Sequence, residues 1–281
     1  MSVGDGTLDQ FQPSIEVRKP DFRRALRHGM ELWWDDSSPH KRLDDRGGRT
    51  GFTRFVNARI EGKFGEVAFK DWLYQAYNIQ AGVDWRIYGE YEQTDYGDLQ
   101  YLIGRDNEAH RPAVEFDIKK TKPWNSWLAV RRRMFQQHPD DAPFLLTKLA
   151  LEEDLVLDEW ADAGTWPADD AEFHLAVERY CDEHLPVEVD LCGAVYPDEF
   201  TDEFDAGDRL YDPDTPDRTL GDPLKEYNVA IPVQDIPSSP TRWDRVVRDI
   251  VGDHPIDHTL LRPDEDAGNG TETDESETTG A

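Results

Sequence analysis

The stretch AVEFDIKKTK (113–122) places charge where a buried strand normally avoids it. Read as a strand, it sets Val114, Phe116 and Ile118 on one face and Glu115, Asp117 and Lys119 on the other. Two carboxylates and an ammonium beside an apolar face cost free energy unless they have partners. Asp117 and Lys119 would lie about 6–7 Å apart along the strand, near enough to act on one group. Asp98, in YGDLQY, stands nineteen residues before Asp117 at the head of another apolar run. If the two runs pair through the turn at 105–112, the carboxylates of Asp98 and Asp117 meet, and they repel unless a cation lies between them. A hard divalent ion such as Mg²⁺ suits that position, because it takes carboxylate and carbonyl oxygen and keeps several waters. Lys119 could then orient or deprotonate an attacking water, or offset the charge of a phosphate. The plainer reading of the same row is a solvated ladder of salt bridges.

A third carboxylate comes from the helix pattern EGKFGEVAFKDWLYQAY (61–77). Glu66 shares a face with Phe69, Leu73 and Tyr77. A glutamate in an apolar stripe needs a partner, which could be an arginine of the edge of the core or an active site. Gly62 and Gly65 beside it would let another group approach the backbone closely. Glu61 is a rival, about 140° away around the helix.

These residues need elements to hold them. Helical spacing marks 20–34, begun by Pro20 and Asp21, and again about 55–77. A polar, glycine-containing loop (35–51) joins them. Alternation predicts strands at 83–93, 97–104 and 113–122, an antiparallel meander with a turn at 105–112. The segment 124–136 reads as a short helix and 143–151 as an apolar strand. Residues 152–185 read as an interrupted acidic helix, 186–196 as a strand, 197–223 as an acidic loop, 224–236 as a late strand and 241–253 as a last helix. The fold class is therefore α/β (α+β), a mixed central sheet with an antiparallel meander flanked by helices. One domain is expected over 15–262, with a loose arm before it and a disordered acidic tail over 263–281.

A glutamate on a helix, an aspartate at a strand and an (Asp/Glu)-x-Lys on the next strand resemble the PD-(D/E)XK nuclease superfamily, the restriction-endonuclease-like fold. The matching residues are Glu66, Asp98, Asp117 and Lys119, within GKFGEVAF, YGDLQY and VEFDIKKTK, and the matching core covers 55–150. Tyr96-Gly97 stands where the family's proline would precede the aspartate, and Asp117 replaces the commoner glutamate. The resemblance implies a Mg²⁺-dependent nuclease acting on DNA in restriction, defence or repair, with Mn²⁺ as a workable substitute and RNA left open as substrate. Asp98, Asp117 and the Ile118 carbonyl would hold the metal, Glu66 would join through water, and Lys119 would position the nucleophilic water. The alternative on the same fold is a non-catalytic nucleic-acid-binding or assembly protein. A homodimer is among the assemblies allowed.

Charge distribution decides how to read the partner. The 281-residue chain carries 60 acidic and 31 basic residues, a net charge of −29. Residues 1–150 hold 23 of each sign, whereas residues 151–281 hold 37 acidic and 8 basic residues. A dispersed acidic surface of this kind fits a salt-adapted, halophilic protein, in which salt screens the self-repulsion. Against that background residues 15–64 are locally basic by four charges. Lys41, Arg42, Arg46, Arg49 and Arg54, with Lys120, Lys122 and Arg131 beyond the motif, are the expected phosphate contacts, and Phe52 the expected stacking residue. Trp124 and Trp127 are expected in the core. Cys181 and Cys192 are too few for a disulfide framework, and the eight histidines show no metal spacing. No apolar run of about 18 residues exists, so a cytoplasmic protein without a membrane partner is expected.

Overall fold

The computed structural model describes residues 11–35, 51–87, 98–149, 151 and 158–258. The loop at 36–50, the second half of the expected strand 83–93, part of the acidic segment after 151 and the tail at 263–281 lie outside them.

The fold is mixed α/β. A strand, β1 (Ser14–Val17), precedes α1 (Lys19–Trp34), and α2 (Phe52–Tyr77) follows. Pro20 begins α1, where its missing N–H would be unsatisfied anyway. Asn78, at φ 58°, closes α2 in the left-handed conformation, and its N–H caps the Leu73 and Tyr74 carbonyls. Helix α2 is buried along most of its circumference, as a helix at the centre of a domain must be. It packs on α1 and on the central sheet.

The chain then forms β2 (Ala81–Val83), β3 (Leu99–Ile103) and β4 (Ala109–His110), an antiparallel three-stranded sheet. Next come β5 (Asp117–Thr121), β6 (Trp127–Arg131), α3 (Arg132–Gln137) and β7 (Phe144–Lys148). Helix α4 (Ala171–His184) starts at Asp170, whose side chain accepts from the Glu172 and Phe173 amides. It leads to β8 (Val187–Val195). Strands β9 (Asp202–Phe204), β10 (Leu210–Asp212), β11 (Thr215–Leu220) and β12 (Asn228–Pro232) precede α5 (Pro240–Val251).

The central sheet runs β1-β8-β7-β5. Strand β7 is parallel to β5 and antiparallel to β8, and β5 is an edge. One face carries Leu145, Val189, Leu191 and Ala194 into the main core under the helices. The other carries Phe144, Leu146, Cys192 and Val195 onto the β6-β12-β9 sheet. The burial of β8 follows from this. Glu188 and Asp190 are exposed near its start, and from Leu191 onward both faces are covered.

Five expectations are corrected. The strand at 113–122 is not the third member of a meander: β3 pairs with β2 and β4, while β5 pairs in parallel with β7. The turn at 105–112 itself contributes β4, which takes the edge of β3. The expected helix at 124–136 divides into β6 and α3, because Trp127, Leu128 and Val130 are drawn into ladder pairing with β12. The acidic loop at 197–223 contains β9, β10 and β11. Trp127 is buried as expected, but Trp124 is 71% exposed.

Candidate active site

The edge position of β5 organises the charged residues. Register pairs Asp117 with Phe144 and Lys119 with Leu146, so Asp117 and Lys119 share the sheet face turned towards β6 and β12. Ile118, Lys120 and Lys122 point the other way, towards α2. Gly65 of α2 lies against this face: a Cβ there would come within 2.9 Å of Thr147 Oγ1 and 3.3 Å of an Ile118 methyl. The glycine's use is therefore close packing of helix on sheet. No such contact surrounds Gly62.

The Asp117 amide donates to the Pro143 carbonyl on the β7 side, 3.3 Å away. The next amide, Ile118, points to the open edge, where it donates to Asp98 Oδ2. The Ile118 carbonyl shares that side, since the two backbone groups of one strand residue point the same way. Asp98, one residue before β3, therefore reaches β5 through its side chain and not through strand pairing. It occupies the edge between the two faces.

Around Asp98 the structure gathers the residues singled out by type. Lys119 Nζ donates to Asp117 Oδ2. On the α2 side, Lys63 Nζ lies 2.7 Å from Glu66 Oε2 and 2.5 Å from the Asp84 carbonyl. Burial, and then the Asp117 charge, push the Asp98 carboxyl up to about 7, against the pull of the Ile118 amide, Lys63 and Lys119. Glu66, 7% exposed, is pushed up to about 8, by burial first and by the Asp98 and Asp84 charges, against Lys63. Asp98 thus couples two half-sites, Asp117–Lys119 on one face and Glu66–Lys63 on the other. Lys63 and Asp84 were not legible from the motif. The i, i+3 spacing of Lys63 and Glu66 was the available signal.

The donor set suits a hard cation in part. Asp98 and Asp117 supply two carboxylates, and the Ile118 carbonyl a neutral oxygen at the same edge. Among the described residues no three His, Cys, Asp or Glu side chains converge closely enough to share one ion. Glu66 fits a role through water, not direct ligation.

The expected phosphate contacts divide. Lys41, Arg42, Arg46 and Arg49 lie outside the described residues. Arg54 is exposed near the start of α2. Lys120 and Lys122 both donate to Glu61, which is 5% exposed. One carboxylate between two ammoniums leaves a net positive charge, and both lysines stay partly exposed. Arg131 pairs with Glu226 at 3.2 Å. Phe52 is not free to stack on a base, being 3% exposed and packed edge-on against Trp33. Both cysteines are buried and unpaired. Among the described residues no helix is long and apolar enough to cross a membrane.

No family model, no curated protein and no solved structure matches the chain.

Proposed function

We propose that the protein is a metal-dependent nuclease of the PD-(D/E)XK type that hydrolyses phosphodiester bonds of DNA. The observation that carries this reading is the bond from the Ile118 amide to Asp98 at the open edge of β5, next to the Asp117–Lys119 pair, where burial and the Asp117 charge raise the Asp98 carboxyl. Two carboxylates brought near one another at a strand edge are what a divalent cation would complement, and the cation would in turn draw the phosphate. Mg²⁺ or Mn²⁺, held by Asp98, Asp117 and the Ile118 carbonyl, would supply Lewis-acid stabilisation of the scissile phosphate.

The chain's own residues do the rest. Lys119 lies on the same face as Asp117, where its ammonium orients a water and offsets phosphate charge. The Ile118 amide fixes one oxygen of Asp98 and leaves the other to ligate. Lys63 holds Glu66 in place, so that Glu66 can accept a hydrogen bond from a water at the site. The locally basic stretch 15–64 and the net charge left by Lys120, Lys122 and Glu61 attract the strand.

A second reading has one observation in its favour. Asp98, Asp117 and Lys119 all find partners within the chain, as they would in a non-catalytic nucleic-acid-binding protein on this fold.

Incubation with plasmid and single-stranded DNA in high KCl, with Mg²⁺, Mn²⁺ or EDTA, separates the two. Cleavage that needs the metal and disappears in Asp117→Asn is expected. DNA retention without cleavage under any metal would favour the second reading.

A further inference from the structure

A second feature lies one side chain from the candidate site. Lys63, which holds Glu66, also sits 5.7 Å from the centre of the Trp85 ring. Trp85 lines a cavity of about 490 Å³ together with Asp21, Arg24, Lys70, Arg86, Gln100 and Tyr101. Ligand sites commonly enclose about 300–1,000 Å³. Helix α1, helix α2 and the β2–β3 pair form its walls.

Charge within the cavity is not balanced. Lys70 pairs with Asp71 at 3.0 Å and with Asp21 at 3.8 Å, and Arg86 pairs with Asp84 at 2.8 Å. Arg24 has no ion-pair partner among the described residues. Its guanidinium lies over the Trp85 ring, 4.5 Å from the centroid. Stacking uses the face of the guanidinium and leaves its N–H edge open to an anion. Trp85 is itself held edge-on by His28, at 5.9 Å. Tyr101 lies over Gly82, where a Cβ would come within 2.3 Å of its ring, so the glycine makes room for the aromatic wall. Among the described residues the Trp85 indole N–H, the Tyr101 hydroxyl and the Gln100 amide have no hydrogen-bond partner.

An unpaired cation, two aromatic rings and three open polar groups around one cavity match a single nucleotide. We propose that the cavity holds one unpaired nucleotide of the substrate strand, its base against Trp85 and Tyr101 and its phosphate on Arg24. This rests on the nuclease reading and narrows the substrate class to strands with an accessible, unstacked base near the scissile phosphate. The open polar groups would meet the edge of the base, and stacking itself tolerates any sequence.

The test is calorimetric titration of the full chain with deoxyadenosine 5′-monophosphate, deoxyadenosine and inorganic phosphate, in high KCl with EDTA. The mononucleotide is expected to bind at least about tenfold more tightly than either part. Arg24→Ala, a change at an exposed position, should erase the preference for nucleotide over nucleoside. Trp85→Ala should weaken the nucleotide about tenfold, with folding checked by circular dichroism. Asp117→Asn should bind the nucleotide like the parent protein. Equal affinity for nucleotide and phosphate, or unchanged binding in both cavity variants, would overturn the proposal. Nucleotide binding without cleavage of any DNA would remove the nuclease reading and keep the cavity. Cleavage of DNA without nucleotide binding would remove the cavity alone.

Discussion

Glu61 and Glu66 stand five residues apart on α2, 5% and 7% exposed, and differ in what surrounds them. Burial would push the Glu61 carboxyl up, but Lys120 and Lys122 outweigh it and hold the group below the usual range. Burial also pushes Glu66 up, and there Lys63 is opposed by Asp98 and Asp84. Lys120 has the converse problem: burial lowers it, and Lys122 and Arg59 add to the effect against Glu61. Glu61 has more cation around it than its carboxylate needs, and Glu66 has too little. A structural ion pair can be completed within the chain, whereas a site meant for a cation or a phosphate is left incomplete. That difference separates the two carboxylates even though each looks like a glutamate in an apolar helix.

The largest expected effect strikes the incomplete site, on its β5 side. Asp117→Asn and Lys119→Ala should each lower the rate of DNA cleavage by about 10²-fold or more, in line with the loss of a positioned charge or proton-transfer group. Melting temperature should hardly move, because the Lys119–Asp117 pair is partly exposed and contributes little to stability. A variant that melts early and cleaves normally would make this pair a structural one, like the ion pair at Glu61.

Next in size is a contrast in stability. Glu61→Gln leaves two ammoniums without their counter-ion and should cost about 3 kcal/mol in denaturant unfolding. Glu66→Gln removes a carboxylate already disfavoured in its ionised form, and should be neutral or stabilising at pH 8 and above. Equal losses in both variants would mean that the fold treats the two alike.

The same contrast predicts opposite pH behaviour. Glu66 has a folded pKa raised from the ordinary 4.5 to about 8, so the native state holds a proton that the unfolded chain gives up. Its contribution is complete below pH 4.5 and is lost as pH rises through 8. Glu61, with a lowered pKa, contributes above the ordinary glutamate range and loses that contribution as pH falls. In EDTA the stability of the parent protein should therefore fall between pH 4.5 and 8 by an amount that Glu66→Gln removes. Added Mg²⁺ should restore part of it. A profile unchanged by both treatments would place Glu66 in an ordinary core.

Sequence patterns made some of this legible and concealed the rest. The helices over 20–34 and about 55–77, and the strands around Leu145, Val189 and Ala230, announced themselves by periodicity, since each has a continuous buried face. The shared face of Asp117 and Lys119 follows from strand alternation alone. The partner of β5 was hidden, because parallel pairing with β7 reaches across β6 and α3 and leaves no local trace. Strands β9 to β11 were hidden by their acidic residues, and β10 and β11 form a mostly exposed ladder of their own. The grip of Lys120 and Lys122 on Glu61 was hidden too: it depends on which face of β5 meets α2, and that is a tertiary fact. Trp124 misled in the opposite sense, since a large apolar side chain in a turn needs no core to receive it.

The smallest effect concerns salt. Glu61 is shared by two lysines, so removing one leaves a one-to-one pair and a sound fold. Arg131 is matched by Glu226, and the two are about half exposed, so their charges cancel towards a distant phosphate. If a DNA strand passes β5, Lys122→Ala should flatten the log–log dependence of affinity on salt by up to about 0.9 of a unit, the value for one lost phosphate contact on duplex DNA. Arg131→Ala should flatten it less, because it also frees an acidic neighbour that repels the strand. Filter binding of one duplex from 0.1 M salt upward, where the Debye length falls from about 10 Å, resolves the two slopes. The order matters more than the size. A larger effect at Arg131 would move the docking path off the α2 face of the sheet and onto the outer side of β6. The surplus charge at Glu61 would then serve only to fasten α2 to β5.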